Sequence, residues 1–198
     1  MNILIFATNN RHKADEVRAV LAGKWEIQTL LEAGIEKDIP EPHDTLEANA
    51  SEKSRTIFEM TGRDCFSEDT GLEVDALHGE PGVRSARYAG EGRSFQDNIK
   101  KLLDRLKGSA NRKARFRTVI SLILNGVEFQ FEGICNGIII DQPKGDSGFG
   151  YDPVFVPDGD TRTFAEMDLA EKNQFSHRKK AMEKLIGFLE QRSGSDVD

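Results

Sequence analysis

Strand-like and helix-like segments alternate along the first part of the chain, and this alternation restricts the fold more than any other feature of the sequence. Residues 2–7 and 25–30 are short apolar runs typical of buried strands. Apolar residues recur at helical spacing between them, and a second helix is predicted over residues 44–62. Strands that alternate with helices indicate an α/β fold.

A long hairpin dominates the second half of the chain. Two β-prone runs, residues 116–124 and 127–140, are separated by Asn125-Gly126, a dipeptide typical of a two-residue hairpin turn. Hairpin strands are antiparallel, so the whole pattern predicts an α/β protein with a mixed sheet. The other predicted elements are strands at 64–68, 72–77 and 154–156, a helix at 94–106 and a final helix from Ser176.

The length and composition fit one globular domain, which we expect over residues 1–193, followed by a frayed tail over 194–198. The 198 residues are 37% hydrophobic and 31% charged, a composition of neither disordered nor membrane proteins. The net charge of −7 disfavours a nucleic-acid polymer as partner. No apolar run approaches the ~20 residues that span a bilayer. With no secretory signal recognisable, we expect a cytoplasmic protein, no membrane partner, and reduced, buried Cys65 and Cys135.

The segment Thr8-Asn9-Asn10-Arg11-His12-Lys13 joins the first strand to the first helix. Backbone N–H groups at a helix start are unsatisfied and favour an anion, and Lys13 adds a positive charge. The segment therefore suits a phosphate chain, although it lacks the glycines of a Walker A loop. An ordinary helix cap with a surface lysine is the alternative.

Two adjacent acids, Glu68 and Asp69, lie in the segment 67–71, which is predicted to turn between two strands. Carboxylate oxygens are ligands that suit Mg²⁺, which commonly takes one or two carboxylates together with substrate phosphates. A plain acidic turn is the alternative. Lys53 on the second predicted helix shares a face with Asn49, one turn earlier, and either extends to solvent or meets an anion.

Aromatic and basic side chains cluster near the end of the chain. The segment 148–153 holds two glycines that permit close approach of a ligand, and the rings of Phe149 and Tyr151 suit base stacking. Lys172, His177 and Arg178 lie near the start of the last predicted helix, where cations oppose the helix dipole. An anionic or polar ligand would relieve that conflict, whereas inward-packed aromatic residues in a turn are the structural alternative for the first segment.

Taken in order, these segments resemble the inosine triphosphate pyrophosphatase family. The matching series is Thr8-Asn9-Asn10 with Lys13 and Glu16, Glu47 with Asn49 and Lys53, Glu68-Asp69-Thr70-Gly71-Leu72, Pro81-Gly82 with Ser85-Ala86-Arg87-Tyr88, Gly148-Phe149-Gly150-Tyr151-Asp152-Pro153, Glu166-Met167 and Ser176-His177-Arg178. It spans the chain from Thr8 to about Leu189. Each piece alone is weak, whereas the set in this order is highly specific.

The resemblance implies hydrolysis of non-standard purine nucleoside triphosphates (dITP, ITP, XTP and dXTP) to the monophosphate and pyrophosphate, with Mg²⁺ as cofactor. It also implies a homodimer and an elongated, two-lobed α/β fold around a long mixed sheet with flanking helices. The nucleotide is expected in the cleft between the lobes.

Residue roles also follow from the resemblance. Asp69 matches the catalytic residue, which is a Mg²⁺ ligand and proton acceptor, and Glu41 and Glu68 are the candidates for a further metal ligand. The expected substrate-binding residues are Thr8, Asn9, Asn10, Arg11, His12, Lys13, Lys53, Thr70, Phe149, Gly150, Tyr151, Asp152, Lys172, His177 and Arg178.

In the expected mechanism, Mg²⁺ bridges Asp69 and the phosphates, while lysines neutralise the leaving pyrophosphate. Because a free Asp has a pKa of ~3.9, Asp69 is expected to orient a metal-bound water, with direct proton abstraction left open. Two rivals stay open. A Maf-type nucleotide pyrophosphatase usually begins with Ser-x-Ser-x-x-Arg, which Thr8-Asn9-Asn10 does not match. A catalytically silent nucleotide-binding module is disfavoured by the intact Glu68 and Asp69.

Overall fold

A computed structural model describes residues 2–21, 25–37 and 39–193 of the chain. The strands are β1 (Asn2–Phe6), β2 (Trp25–Thr29), β3 (Cys65–Val74), β4 (Pro81–Gly82), β5 (Lys113–Leu124), β6 (Val127–Ile139) and β7 (Phe155–Pro157). The α-helices are α1 (Arg11–Leu21), α2 (Leu46–Thr61), α3 (Phe95–Arg105), α4 (Leu169–Lys172) and α5 (His177–Ser193). The predicted tail, 194–198, lies outside the described residues.

The seven strands form one mixed sheet, as predicted. Their order is β2-β1-β3-β5-β6-β7, and β4 pairs with β3. Strand β1 is parallel to β2 and β3, whereas the pairs β3–β4 and β6–β7 are antiparallel. Asn125 and Gly126 join β5 to β6 with φ angles of 51° and 78°. Positive φ at both positions is what a type I′ hairpin turn requires, so the hairpin prediction is confirmed.

The chain divides into two compact units, each built from separate stretches of sequence. Unit 1 comprises Met1–Asp69, Thr118–Gly133 and Arg178–Asp198, and unit 2 comprises Thr70–Arg117 and Ile134–His177. Strands β3, β5 and β6 each begin in one unit and continue into the other. No linker therefore separates the units along the sequence. The expectation of a single domain over residues 1–193 stays a prediction.

Helices cover both faces of the sheet in unit 1, because successive side chains of a strand point to opposite faces. Leu4 and Phe6 of β1 pack in one core cluster with Val17 of α1 and Leu185 of α5. The intervening Ile5 packs in a second cluster, together with residues of α2 and β3. This strand is apolar on both faces, as the unbroken apolar run at the N-terminus indicated.

Unit 2 has its own core, which α3 helps to close. Ile99 and Leu102 of α3 pack with Leu72 and Val74 of β3, among other buried apolar residues. The helix begins after Ser94, whose hydroxyl accepts a hydrogen bond from the Asp97 backbone N–H at 3.2 Å. This hydrogen bond is the N-cap that a helix start favours, and it agrees with the prediction of a helix from residue 94.

The predicted turn at 67–71 is wrong, because β3 runs without interruption from Cys65 to Val74. Gly71 lies inside this strand, where β4 approaches it closely. A Cβ atom at Gly71 would lie 2.6 Å from the backbone oxygen of Gly82. The glycine therefore marks a close approach of two backbones, not a turn. The C-terminal end of the second predicted strand also differs, since residues 75–77 form a 3₁₀ turn.

Smaller differences concern element ends and short elements. Helix α2 begins at Leu46 with Thr45 as its N-cap, one residue after the predicted Asp44. Residues 85–87 and 164–166 form 3₁₀ turns that the sequence pattern did not indicate. Within the described part of the chain, none of the helices combines the length and apolar character needed to cross a bilayer.

Candidate active site

Strand β3 sends its two adjacent acids to opposite faces of the sheet, because side-chain direction alternates along a strand. Asp69 points to the side of α2, whose backbone also accepts hydrogen bonds from Ser67 and Cys65. Glu68 points to the side of α1 and α5, where it meets Lys13 and Arg178. The two acids therefore belong to two different clusters of charge in unit 1.

The first cluster centres on the ammonium of Lys53, a residue of which only 6% of the surface is exposed. Its Nζ lies 2.6 Å from Glu41 Oε1 and 3.7 Å from Asp69 Oδ1, and it donates to the Glu68 backbone oxygen at 2.7 Å. Of the two readings of Lys53, contact with anions is thus the one that the structure supports. Helix α2 supplies the lysine, the loop before it supplies Glu41, and β3 supplies Asp69.

Burial and charge act in opposite directions on these groups. Burial raises the pKa of Asp69 above its ordinary value, and the neighbouring Glu41 adds to that rise, while Lys53 opposes it. Burial alone would lower the pKa of Lys53, but the carboxylates of Asp69 and Glu41 outweigh it and raise the pKa. Lys53 is therefore fully charged at neutral pH, and two carboxylates share it.

The second cluster surrounds Glu68. The guanidinium of Arg178 donates through Nε to Glu68 Oε2 at 2.6 Å and through Nη2 to Oε1 at 3.0 Å. Its Nη1 binds Glu16, and Lys13 Nζ lies 2.9 Å from Glu68 Oε1. Burial would raise the pKa of Glu68, but Arg178 and Lys13 hold it well below its usual range. Both oxygens of this carboxylate are engaged by cations.

The phosphate-binding candidates 8–13 lie at the start of α1, as predicted. The Asn10 side chain caps the helix by accepting from the Lys13 backbone N–H at 3.3 Å, and Thr8 Oγ1 accepts from the Asn10 N–H at 3.1 Å. Asn9 accepts from the Leu31 N–H at 3.2 Å. Arg11 and His12, the first residues of the helix, are exposed.

A divalent metal fits the first cluster better than the second. The described residues contain no set of three or more His, Cys, Asp or Glu side chains arranged to hold a metal ion. Mg²⁺, however, commonly takes only one or two carboxylates and completes its shell with water and phosphate oxygens. Asp69 and Glu41 supply two such carboxylates around one site. Glu68 points to the other face, so its role as a metal ligand stays a prediction that these contacts do not support.

Unit 2 holds the candidates for base contact. Asp152, which is buried, accepts through Oδ2 from the Phe149 backbone N–H at 2.9 Å and from Lys172 Nζ at 2.7 Å. The Lys172 ammonium lies 5.1 Å from the centroid of the half-buried Phe149 ring. A Cβ at Gly148 would overlap the Asp152 carboxylate, and the φ of 76° at this position also favours glycine. The Asp152 carboxylate thus binds both the Lys172 ammonium and the backbone of the turn, and the Phe149 ring lies beside them.

Tyr151 differs from the expectation that both rings of this segment offer faces to a base. Its ring is only 4% exposed and belongs to the core of unit 2, and its hydroxyl donates to the Ser85 carbonyl at 2.8 Å. Burial raises the pKa of this hydroxyl. Stacking by a side-chain face is therefore left to Phe149, and Gly150 follows it with a φ of 63°, which favours glycine.

The remaining candidates, His177, Arg178 and Thr70, are buried or half-buried. His177 is 3% exposed and stacks on Phe116, with ring centroids 4.7 Å apart. Arg178 is 2% exposed and engaged by two carboxylates, so its contact with a substrate stays a prediction. Thr70, the first residue of unit 2, is half-buried on β3.

Two buried residues of unit 1 were not among the predicted site residues. Glu16 completes the contacts of Arg178, and its position three residues after Lys13 on one face of α1 could have indicated this. Asn49 lies one turn before Lys53 and hydrogen-bonds to the backbone of His43. Its shared face with Lys53 was visible in the sequence, but its partners were not.

Comparison with known proteins finds one family over nearly the whole chain. The model of the Ham1 family matches residues 4–188. A dITP/XTP pyrophosphatase of Porphyromonas gingivalis is 51% identical over 190 residues, covering 96% of this chain and 98% of that protein. One of Flavobacterium johnsoniae is 47% identical over 186 residues, with 94% and 97% covered. The solved Ham1 protein of Staphylococcus aureus is 36% identical, with a TM-score of 0.87, and the match covers 96% of this chain and 100% of that one.

Proposed function

The chain belongs to the Ham1 family, and on that premise we propose that it hydrolyses non-standard purine nucleoside triphosphates to the monophosphate and pyrophosphate. The substrates are dITP, ITP, XTP and dXTP, and the activity removes them from the nucleotide pool. The observation that carries the proposal is the convergence of Asp69 and Glu41 on the buried Lys53. Two carboxylates and a lysine fit a metal–phosphate site.

Asp69 and Glu41 would hold Mg²⁺, which when bound polarises the phosphate and lowers the pKa of a coordinated water. Asp69 would orient the attacking water at the α-phosphorus, and the Lys53 ammonium, 3.7 Å from its Oδ1, helps to hold this carboxylate in place. Its pKa, raised by burial, makes it a better base than a free Asp, so proton acceptance is compatible with the same residue.

The cations of unit 1 neutralise charge on the phosphates. Lys53 is fixed by Glu41, and Lys13 is fixed by Glu68 next to the N–H groups at the start of α1. Cations that are already held in place need no reorganisation when charge develops on the leaving pyrophosphate. Thr8 and Asn10 keep the phosphate-facing turn in one conformation through their capping hydrogen bonds.

Residues of unit 2 are assigned to the base. Phe149 supplies a stacking face, and Lys172, held by Asp152, donates to the oxygen at the 6-position of hypoxanthine or xanthine. Adenine carries an amine at this position. Two hydrogen-bond donors, the amine and the Lys172 ammonium, would then face each other, and adenine nucleotides would bind less tightly. Guanine also carries the oxygen and must be rejected at its 2-amino group.

A panel of nucleotides tests the activity. We expect pyrophosphate release from ITP, dITP and XTP in the presence of Mg²⁺ and its loss with EDTA, with little release from ATP. Strong turnover of dTTP and UTP without ITP turnover would instead identify a pyrimidine-directed enzyme. No turnover of any nucleotide, with binding retained, would identify a nucleotide-binding module.

The catalytic assignment has its own test. Asp69→Asn is expected to abolish turnover while nucleotide affinity stays within about tenfold, because the carboxylate acts on the water and the metal more than on the base. Asp104→Asn, which changes an exposed carboxylate of α3, is the matched control and should keep full activity. Normal turnover of the Asp69 variant would overturn the assignment.

The remaining parts of the proposal concern assembly and location. We propose a homodimer in the cytoplasm, as the family resemblance implies, and a single folding domain over residues 1–193. Sedimentation of the purified protein tests the dimer, and one cooperative unfolding transition, seen by two independent probes, tests the single domain.

A further inference from the structure

Asn49 is a completely buried polar residue of α2 to which the proposed function gives no role. Its Oδ1 accepts from the His43 backbone N–H at 2.9 Å, and its Nδ2 donates to the His43 carbonyl at 3.1 Å. A backbone N–H can only donate and a carbonyl can only accept, so this pair of hydrogen bonds fixes which way the amide points.

The fixed amide also reaches the candidate active site. An Asn amide nitrogen carries two N–H donors, and one of them is used on His43. Burial raises the pKa of the Asp69 carboxyl, and the nearby Asn49 amide opposes that rise. The amide that holds the His43 backbone therefore also lies next to Asp69.

The backbone that Asn49 holds belongs to the loop that also carries Glu41, the other carboxylate near Lys53. His43 lies two residues after Glu41, in a loop without regular secondary structure that precedes α2. Glu41 reaches Lys53 from this loop, and its side chain is 23% exposed. Two hydrogen bonds to Asn49 hold the backbone of this loop at His43, two residues from Glu41, and so limit how far the partly exposed Glu41 can move.

We propose that Asn49 is a positioning residue that holds the loop of Glu41 against α2, beside Asp69, for metal binding. The inference rests on the proposed function, since it takes these two carboxylates as the metal ligands. Groups that orient a ligand from behind tune metal affinity without touching the ion, and their loss typically lowers affinity or activity ~10–100-fold.

The test measures metal binding directly, with Mn²⁺ as the probe and the electron paramagnetic resonance of free Mn²⁺ as the readout. Titrations are made without nucleotide, because a triphosphate would itself bind Mn²⁺, and kcat and KM for ITP are measured separately. For Asn49→Ala we expect the Kd for Mn²⁺ to rise about tenfold and kcat to fall, with KM for ITP at saturating metal within about threefold of the original.

Three further variants make the result specific. Asn98→Ala removes another buried asparagine, whose amide contacts the backbone of residues 85, 86 and 89 in unit 2, and should leave the Kd for Mn²⁺ unchanged. His43→Ala removes a side chain but keeps the backbone clamp, so it should also bind Mn²⁺ normally. Asp69→Asn should lose Mn²⁺ binding.

The outcomes distinguish a failure of the role proposed for Asn49 from a failure of the metal assignment. If Asp69→Asn loses Mn²⁺ binding while folded Asn49→Ala keeps it, the proposal for Asn49 is overturned and the metal assignment stands. If Asp69→Asn binds Mn²⁺ normally, the metal assignment and this inference both fail. Equal losses in Asn49→Ala and Asn98→Ala would show general loosening and overturn the inference. Should Asn49→Ala not fold, Asn49→Ser, which can donate to only one partner, is measured against the same criteria.

Discussion

The Lys53→Met variant tests the electrostatic account of the site most directly. Methionine is close in length to lysine but has no charge, so the change leaves Glu41 and Asp69 facing each other without the shared cation. Their side chains are 23% and 7% exposed, and that of Lys53 is 8% exposed. Breaking a buried ion pair by removing one partner costs ~3–5 kcal/mol. Because Glu41 can turn partly to water, we expect a loss near the lower figure, about 3 kcal/mol.

The loss should respond to metal and to pH in a specific way. Mg²⁺ should restore part of the stability, because a ligand that binds only the folded state stabilises it by mass action. Lys53 opposes the rise in the pKa of Asp69, so its removal raises that folded-state pKa further. A carboxyl with a raised folded-state pKa costs stability at high pH, and this cost shrinks as the pH falls. The variant should therefore lose less at pH 5 than at pH 8.

Urea unfolding of the variant, with and without Mg²⁺, measures these effects. Lys101→Met is the matched control, because Lys101 is exposed and its ammonium donates to the backbone oxygen of Tyr88 and lies over the Tyr88 ring. It should lose less than about 1 kcal/mol and show no response to Mg²⁺. An unchanged urea midpoint for Lys53→Met, or an equal loss in both variants, would refute the electrostatic account.

Three more variants test packing, titration and base contact. Gly71→Ala should destabilise the protein by about 3 kcal/mol in thermal unfolding, because its Cβ meets backbone atoms, whereas Gly92→Ala, in open space, should change stability by less than about 1 kcal/mol. Burial would raise the pKa of Glu128, but hydrogen bonds from two serines and an arginine lower it, so its contribution is present above pH ~4.3 and lost as the pH falls below that value. The stability difference between the original protein and Glu128→Gln should therefore shrink between pH 5 and pH 3, and a constant difference would contradict this. Phe149→Leu should lower kcat/KM for ITP about tenfold to a hundredfold through lost stacking, while Phe95→Leu, an exposed neighbour at 6.3 Å, should not.

Local patterns were sufficient for much of the architecture. The hairpin at Asn125-Gly126, the amphipathic helix α3 and the apolar strand β1 all follow from spacing and turn chemistry over a few residues. The same reasoning misplaced the segment 67–71, because Gly71 is required by the approach of a distant backbone and not by a turn. Contacts between distant parts of the chain leave no local trace in the sequence.

The candidate site shows the same division. Asp69 and Lys53 could be proposed as site residues from the sequence because acids, lysines and their order along the chain match a family pattern. Their partners could not be proposed from the sequence, because the pairing of carboxylates with cations depends on the direction in which each side chain points. The buried guanidinium of Arg178 is an example, because a basic residue at a helix start could equally have faced solvent.

Residue types and their spacing were enough to predict the α/β class, the mixed sheet and the family pattern around Asp69, because all of these can be counted along the chain. The assignment of Glu68 and Asp69 to different clusters required the folded structure. Alternation along β3 sends one side chain to Arg178 and the other to Lys53, and the helices that supply these cations lie on opposite faces of the strand. Two neighbours in sequence thereby acquire different partners, pKa shifts and expected roles.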